Sequence, residues 1–271
     1  PQLDLQDVDI EYAGARVRGH AGLQKNLAIS SALSWTYSAQ YEFSGQLELG
    51  GNLNTLQLEH DWLGPVQVHS SGSVVTGLNS AETLTLSLQQ EADAINLGVF
   101  GQDAIDLSAV QLATNGSVQA LAVRGSLNVQ ALDFAPAALS FSALYSPADI
   151  TFESVAINSE ELGAEVTGAY VLSSQTLNLD WVLSRLTLER YLSGMQLNGV
   201  SGSGSLELVT DAAGVDASLN LGPLQGELNS YPLSVSGSVQ INDSVLTALD
   251  LIASNADNRL QVNGVLVPEL A

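Results

Sequence analysis

Short segments in which apolar and polar residues alternate one by one run through almost the whole chain, and this feature most constrains its fold. Clear examples are Leu47-x-Leu49, Leu84-x-Leu86-x-Leu88, Leu127-x-Val129 and Leu177-x-Leu179-x-Trp181-x-Leu183. Successive side chains of a β-strand point to opposite faces, so a period of two is typical of strands with one buried and one solvated face. Such strands are characteristic of antiparallel sheets. The sequence therefore predicts an all-β protein with a long, mostly antiparallel sheet.

The segment 231–267 shows the pattern most clearly and predicts three strands in succession. Asn, Asp and Ser cluster at 242–244 and 254–258, where their side chains can bond the local backbone and form the two turns. The apolar residues that fall in phase on one face of the three strands are Leu233, Val235, Val239 and Ile241, then Leu249 and Leu251, then Leu260 and Val262. We predict a three-stranded antiparallel meander with one apolar face.

Evidence for helices is thin, because the one good candidate is the segment 188–194, which ends at Gly194. Gly-x-Leu/Val-x-Leu/Val segments recur at Gly45, Gly125, Gly204 and Gly237, and glycine at such positions suits the bulges that bend and curl a long sheet. Their spacing is irregular, which argues against a fixed-period solenoid. No linker divides the chain, so we expect 1–271 to be one continuous segment. Its first residue and its abrupt end at 268–271 lead us to expect a fragment of a longer protein.

The charge of the chain excludes several classes of partner. Seven Lys and Arg stand against 29 Asp and Glu, a formal net charge of −22. Recognition of nucleic acids and of anionic lipid headgroups depends on Lys and Arg, so we expect no nucleic-acid partner. The chain has no cysteine and therefore neither disulfides nor thiolate chemistry, which is compatible with an oxidising compartment.

No arrangement of residues points to catalysis or to a cofactor. Glu59-His60-Asp61 invites a metal interpretation, but adjacent strand residues point to opposite faces. His69 could still meet this segment across a hairpin built around Gly64-Pro65. The sequence contains neither the Gly-x-Ser-x-Gly motif of serine hydrolases nor a calcium-binding loop motif nor a glycine-rich phosphate-binding loop. We predict that the protein is not an enzyme and has no cofactor.

About twenty short strands, each with one apolar face, must hide those faces without amphipathic helices to cover them. Two sheets could pack as a sandwich, a sheet could close as a barrel, or one long sheet could curl around an internal groove. The many consecutive hairpins and the low aromatic content, 6%, count against a sandwich core. We predict an elongated, taco-like groove with an apolar interior and one or two short helices. A closed β-sandwich or adhesin-like binding protein is the alternative.

Two stretches carry a resemblance to a known family. One is L-S-V-S-G-S-V-Q-I-N-D from Leu233, followed by L-T-A-L-D-L-I-A-S-N-A-D-N-R-L-Q-V-N-G from Leu246. The other is L-T-L-E-R-Y-L-S-G-M-Q-L-N-G-V-S-G-S-G-S-L-E-L from Leu186. Both resemble the TamB/AsmA-like family of Gram-negative envelope proteins, and in particular the long periplasmic region of its TamB-type members. Weaker similarity covers 43–75 and 116–141, so about half of the chain is matched.

The resemblance implies a section of a bridge-like conduit that carries phospholipid between the inner and outer membranes, and a second role in assisting outer-membrane protein assembly. It further implies a periplasmic location, an inner-membrane anchor and an outer-membrane partner of the Omp85 type, both engaged through parts outside this chain. The alternation selects the residues expected to line the groove. They are Leu177, Leu179, Trp181, Leu206, Leu208, Leu219, Leu221, Val235, Val239, Ile241, Leu249, Leu251, Leu260 and Val262.

Overall fold

A computed structural model of the chain describes residues 3–38, 42–76, 84–100, 105–131, 134–188, 196–210, 214–243, 245–255 and 258–265. These residues form eighteen β-strands and one short 3-10 helix, Leu97–Phe100. The chain divides into two compact units, Pro1–Pro136 and Ala137–Ala271. The described part of the chain holds no helix with the length and hydrophobicity that crossing a bilayer requires.

The first unit contains nine strands, and each pairs antiparallel with the next along the chain. The 3-10 helix lies between the seventh and eighth of them. The strands are β1 Leu3–Tyr12, β2 Ala15–Leu23, β3 Ala28–Ser38, β4 Glu42–Asn52, β5 Thr55–Leu63, β6 Val68–Val75, β7 Thr85–Asn96, β8 Ile105–Ser117 and β9 Ala120–Ala131.

The second unit repeats this plan with nine further strands, again paired antiparallel in sequence order. They are β10 Ala137–Tyr145, β11 Asp149–Asn158, β12 Leu162–Val171, β13 Thr176–Leu186, β14 Leu197–Thr210, β15 Val215–Leu228, β16 Tyr231–Asn242, β17 Val245–Asn255 and β18 Asn258–Val265. The predicted meander corresponds to β16, β17 and β18 and is confirmed.

Short polar turns set the register of the hairpins. Asn229 and Ser230 take φ values of 51° and 65° between β15 and β16, the left-handed geometry of a two-residue type I′ turn. After β4, the Asn52 Oδ1 atom accepts hydrogen bonds from the backbone N–H groups of Asn54 at 2.8 Å and Thr55 at 3.1 Å. Side chains of this type can replace a backbone turn partner, which explains why the loops are short and polar.

Bulges interrupt the ladders at several places, including between Ser142 and Ala143 on β10 and between Leu221 and Leu224 on β15. Each bulge adds a residue to one strand and increases its local bend and twist. On β16, Gly237 has a φ of 148°, and a Cβ atom there would overlap the carbonyl oxygen of Asp250. A glycine is therefore required at this position of β16, where the backbone of β17 leaves no room for a side chain.

The prediction of an all-β, mostly antiparallel fold is confirmed, with eighteen described strands in place of about twenty. The hairpin predicted around Gly64-Pro65 is present between β5 and β6. The helix predicted at 188–194 lies almost entirely outside the described residues. A 3-10 helix is present at Leu97–Phe100, where the sequence did not indicate a helix. That 1–271 acts as one continuous segment stays a prediction.

Candidate functional site

The register of the second unit aligns apolar residues in four rows that cross its strands. Residues directly opposite each other in an antiparallel pair have side chains on the same face. One row, for example, joins Leu179 to Leu206, then to Leu219, Val239 and Leu249. We call the face formed by the four rows the apolar face of the second unit.

All fourteen residues predicted to line a groove lie on this one face. Their partners across the strands are apolar residues or glycines, such as Gly204 opposite Trp181 and Gly237 opposite Leu251. Row by row the fourteen are Leu177, Leu208 and Ile241; Leu179, Leu206, Leu219, Val239 and Leu249; Trp181, Leu221, Leu251 and Val262; and Val235 and Leu260. The register thus places on one face residues that are up to 85 positions apart in sequence, from Leu177 on β13 to Val262 on β18. Their role as a lipid lining stays a prediction.

The opposite face of the same strands is polar. Its cross-strand rows include Asn178 with Glu207 and Ser218, and Asp180 with Ser205. Val182 is an exception, because it lies on this face and is 55% exposed. The polar face is the one suited to water.

No second layer seals the apolar face into a core within the described residues. The only described hydrophobic side chains that are more than nine-tenths buried are Ala92, 7% exposed, and Val200, 8% exposed. Most large residues of the apolar face are half-buried, and Leu260 on β18 is 64% exposed. A sandwich core would bury many large aliphatic and aromatic side chains completely. The apolar face is therefore shielded mainly by neighbouring side chains of its own sheet.

The first unit presents a similar apolar face. One of its rows is formed entirely of apolar residues and glycines: Leu3, Leu23, Ile29, Gly51, Leu56, Val74, Leu86, Gly116 and Leu121. Trp35, Trp62 and Phe43 cluster at one end of this face. The rings of Trp62 and Trp35 meet edge to face at 5.6 Å, and those of Trp62 and Phe43 at 5.8 Å.

Each unit places tryptophan directly opposite a glycine on a neighbouring strand, and in the first unit both Trp35 and Trp62 are opposite Gly45. Trp35 on β3 faces Gly45 on β4, and Trp181 on β13 faces Gly204 on β14. A Cβ atom on either glycine would overlap the indole ring. The tryptophan side chain thus lies flat across the next strand and adds to the apolar surface there.

A row of polar side chains interrupts the apolar face of the first unit. His60, Ser70 and Gln90 are aligned across β5, β6 and β7, and we call these three residues the polar row. Trp35 Nε1 donates a 3.0 Å hydrogen bond to His60 Nε2, and the two rings stack with centroids 5.9 Å apart. Gln90 Nε2 lies 3.5 Å from the hydroxyl of Ser70, which is only 5% exposed. In a neighbouring row, the hydroxyl of Ser31 is buried without a hydrogen-bond partner among the described residues.

The other face of the first unit carries an exposed histidine–carboxylate pair. His69 Nδ1 lies 2.7 Å from Asp61 Oδ1 across the β5–β6 hairpin. The hydrogen bond to Asp61 raises the pKa of His69 above its ordinary value of 6.5, and the negative charges of Asp61, Glu59 and Glu91 add to this. His60 lies on the opposite face from His69, and the described residues contain no group of three or more His, Asp or Glu placed to hold a metal ion. Asp61 and His69 thus form a hydrogen-bonded pair, which is an ion pair when His69 is protonated.

Fold and face together define the class of protein: a repetitive antiparallel sheet, bent by bulges, with one polar face and one apolar face that no described segment covers. The chain belongs to the family described as "TamB, N-terminal domain", whose model matches residues 1–270. No curated protein matches the chain by sequence. The family is associated with the cell envelope and linked to the transport of lipid or protein there.

Proposed function

We propose that this chain is a section of a periplasmic conduit whose apolar face shields phospholipid acyl chains as they pass between the inner and outer membranes. The observation that supports this most strongly is the set of four apolar rows in the second unit, two of which, those of Leu179 and Trp181, cross all nine of its strands, with no covering layer among the described residues. Hydrophobic surface of this extent on a protein marks a binding site for an apolar partner.

The energetics fit this task. Burying one methylene group is worth about 0.8 kcal/mol, so two acyl chains with about 30 methylenes would lose on the order of 20 kcal/mol in water. A continuous apolar surface removes most of that barrier. Because acyl chains have no directional groups, the lipid is held by area alone and can move along the rows. The polar headgroup stays in water at the open side.

The dimensions of one unit are sufficient for an acyl chain. Strands in a sheet lie about 4.8 Å apart, so nine strands extend over about 38 Å. The hydrocarbon core of a whole bilayer is about 30 Å thick. One apolar face therefore exceeds the length of a single leaflet's chains in the direction across the strands.

The remaining parts of the proposal concern the surroundings of this section. In this proposal the inner membrane and the Omp85-type outer-membrane partner are engaged through parts of the protein outside this chain. The net charge of −22 disfavours docking onto anionic headgroups, which suits a section that works between two membranes. No catalytic step is required, since shielding alone lowers the barrier. Assistance in outer-membrane protein assembly is a second role that the family link to protein transport favours.

Mass spectrometry of an organic extract from the purified protein tests the proposal. We expect phospholipid in near-stoichiometric amount, and we expect delipidated protein to take up phospholipid again from vesicles. A chain that yields no phospholipid and extracts none from vesicles would refute the proposed function. A closed β-sandwich or adhesin-like protein gives that second result.

A further inference from the structure

The polar row of the first unit has hydrogen-bonding groups that the fold leaves without partners. Because an indole N–H can only donate, His60 Nε2 is the acceptor of the Trp35 bond, and the neutral imidazole carries its proton on Nδ1. No described residue accepts a hydrogen bond from this Nδ1–H group. The hydroxyl of Ser70 accepts from Gln90 and has its own proton free to donate. Two donors therefore lie side by side on a mainly apolar face, since His60 and Ser70 are directly opposite each other.

The second unit provides an internal comparison. Among the described residues of its four rows, the side chains able to form hydrogen bonds are Tyr145, Tyr170 and Trp181. None of them forms a row across adjacent strands like that of His60, Ser70 and Gln90. Unpaired donors on a surface covered by hydrocarbon carry a free-energy penalty, so a purely apolar row would serve acyl chains better at this position.

The charges of the first unit restrict what the polar row can bind. Arg16, Arg18 and Arg124 all lie on the opposite face. The cross-strand partner of Arg18 is Ser34, and that of Arg124 is Ala113. The remaining Lys of this unit, Lys25, lies beyond the end of β2, and the polar row is flanked across the strands by Leu47 and Leu112. The polar row therefore offers neutral donors without a Lys or Arg as a cross-strand neighbour. Phosphate recognition relies on charged donors, whereas a neutral carbonyl oxygen is matched by an imidazole N–H and a hydroxyl.

We propose that the polar row binds the ester carbonyl oxygens of a diacyl lipid and gives its acyl chains a preferred resting position on the first unit. His60 Nδ1–H and the Ser70 hydroxyl donate to the carbonyl oxygen, and Gln90 holds Ser70 in place. The buried hydroxyl of Ser31 in a neighbouring row is a further unsatisfied group on the same face. This inference rests on the proposed function, because it assumes that acyl lipid covers the apolar face.

The test compares a diester phospholipid with its diether analogue of identical chains and headgroup, both with brominated chains that quench tryptophan fluorescence. The chain has three tryptophans, so Trp181→Phe leaves Trp35 and Trp62 as reporters of the first unit alone. One neutral hydrogen bond corresponds to about fivefold in affinity. We expect the diester lipid to bind about fivefold more tightly or better, and His60→Phe/Ser70→Ala/Gln90→Leu to abolish that difference.

A matched control for the Ser70 and Gln90 substitutions is available on the opposite face of β6 and β7. Ser71 and Gln89 are the neighbouring cross-strand pair, and Ser71→Ala/Gln89→Leu removes the same chemical groups from the polar side. We expect this variant to keep the preference for the diester. In the Trp181→Phe protein, the infrared stretch of a 13C-labelled ester carbonyl should shift to lower frequency on binding, and the triple variant should lose this shift.

The outcomes separate the inference from the function on which it rests. Equal affinity for diester and diether in the Trp181→Phe protein, or a preference that survives the triple substitution, would overturn the carbonyl site while leaving lipid shielding intact. Failure of both lipids to quench Trp35 and Trp62 in the Trp181→Phe protein, and Trp181 in a Trp35→Phe/Trp62→Phe protein, would overturn both proposals. Retention of the preference in the control and its loss in the triple variant would establish the site.

Discussion

Replacing Leu179 by aspartate should prevent acyl chains from occupying the centre of the second unit's apolar face. Leu179 is half-buried and lies between Gly168 on β12 and Leu206 on β14. A carboxylate at this position would be surrounded by apolar side chains on both neighbouring strands. Without lipid, the carboxylate can still reach water, so it disturbs the fold little. A bound acyl chain would separate the carboxylate from water, so lipid binding is weakened much more.

The expected magnitude follows from two contributions. Full burial of a leucine is worth about 2 kcal/mol, and because Leu179 is already half-buried, a covering lipid gains about 1 kcal/mol from it. An aspartate with an ordinary pKa of about 3.9 must be protonated to be covered, which near pH 7 costs about 4 kcal/mol at 1.36 kcal/mol per pKa unit. The sum of about 5 kcal/mol lowers local lipid affinity by about 10³-fold or more. Leu179→Ala loses only the first contribution, about fivefold.

Trp181 lies two residues along the same strand on the same face and reports directly on this position. In a Trp35→Phe/Trp62→Phe background it is the only tryptophan, and its quenching by a phospholipid with brominated acyl chains measures local occupancy. Asn178→Asp is the matched control, because it adds the same charge to an exposed position on the polar face of the same strand. Equal loss of quenching in Leu179→Asp and Asn178→Asp, or unchanged quenching in both, would refute the assignment of the lipid to the apolar face.

Three further predictions concern the fold and its ionisable groups. The pKa of His69 should exceed 6.5 in an NMR titration and return towards that value in Asp61→Asn. Because the pair with Asp61 favours protonated His69 in the folded state, it makes a small contribution to the free energy of unfolding below about pH 6.5. That contribution is lost as the pH rises through the pKa of His69 in the folded state. Gly237→Val should lower the free energy of unfolding by about 3 kcal/mol or more, measured with denaturant, because its Cβ atom would overlap the Asp250 carbonyl oxygen; an unchanged midpoint would contradict the close approach of β16 and β17. Val182→Lys, at an exposed position of the polar face, should change that free energy by no more than about 0.5 kcal/mol and leave lipid uptake intact.

Local patterns in the sequence were sufficient to predict much of this fold. Asn, Asp and Ser cluster in the sequence at 242–244 and 254–258, and apolar and polar residues alternate along most of the segments before, between and after these clusters, so the meander of β16 to β18 could be predicted. The common face of Leu177, Leu219 and Leu251 was also predictable, because alternation sets the face of each strand and consecutive hairpins keep the faces in phase.

The polar row could not be predicted in the same way. His60, Ser70 and Gln90 come from three strands, and their alignment depends on the exact register of β5, β6 and β7. In the sequence, His60 belongs to a Glu-His-Asp segment that suggests a metal site, and Ser70 belongs to a serine pair typical of a polar face. Only the pairing shows that His60 and Ser70 share the apolar face, while their neighbours His69 and Asp61 share the polar one.

The positions of the bulges also could not be predicted from the alternation of apolar and polar residues. Several strands of the second unit contain an extra residue, for example between Leu221 and Leu224, and each bulge restores the apolar phase after a local break. A glycine-rich segment can indicate such a place but does not fix which residue is extra. For this reason Leu224 was absent from the predicted lining although it continues the row towards Val235.

The central claim is that acyl chains cover one face of the sheet and not the other, and site-specific photocrosslinking along β15 and β16 tests it most directly. A photoreactive residue is introduced in turn at Leu219, Asn220, Gln240 and Ile241 in the intact protein, and lipid adducts are measured by mass spectrometry after irradiation in cells. The alternation of faces predicts strong phospholipid adducts at Leu219 and Ile241 and background levels at Asn220 and Gln240. Equal capture at all four positions, or capture at the polar positions alone, would contradict the claim.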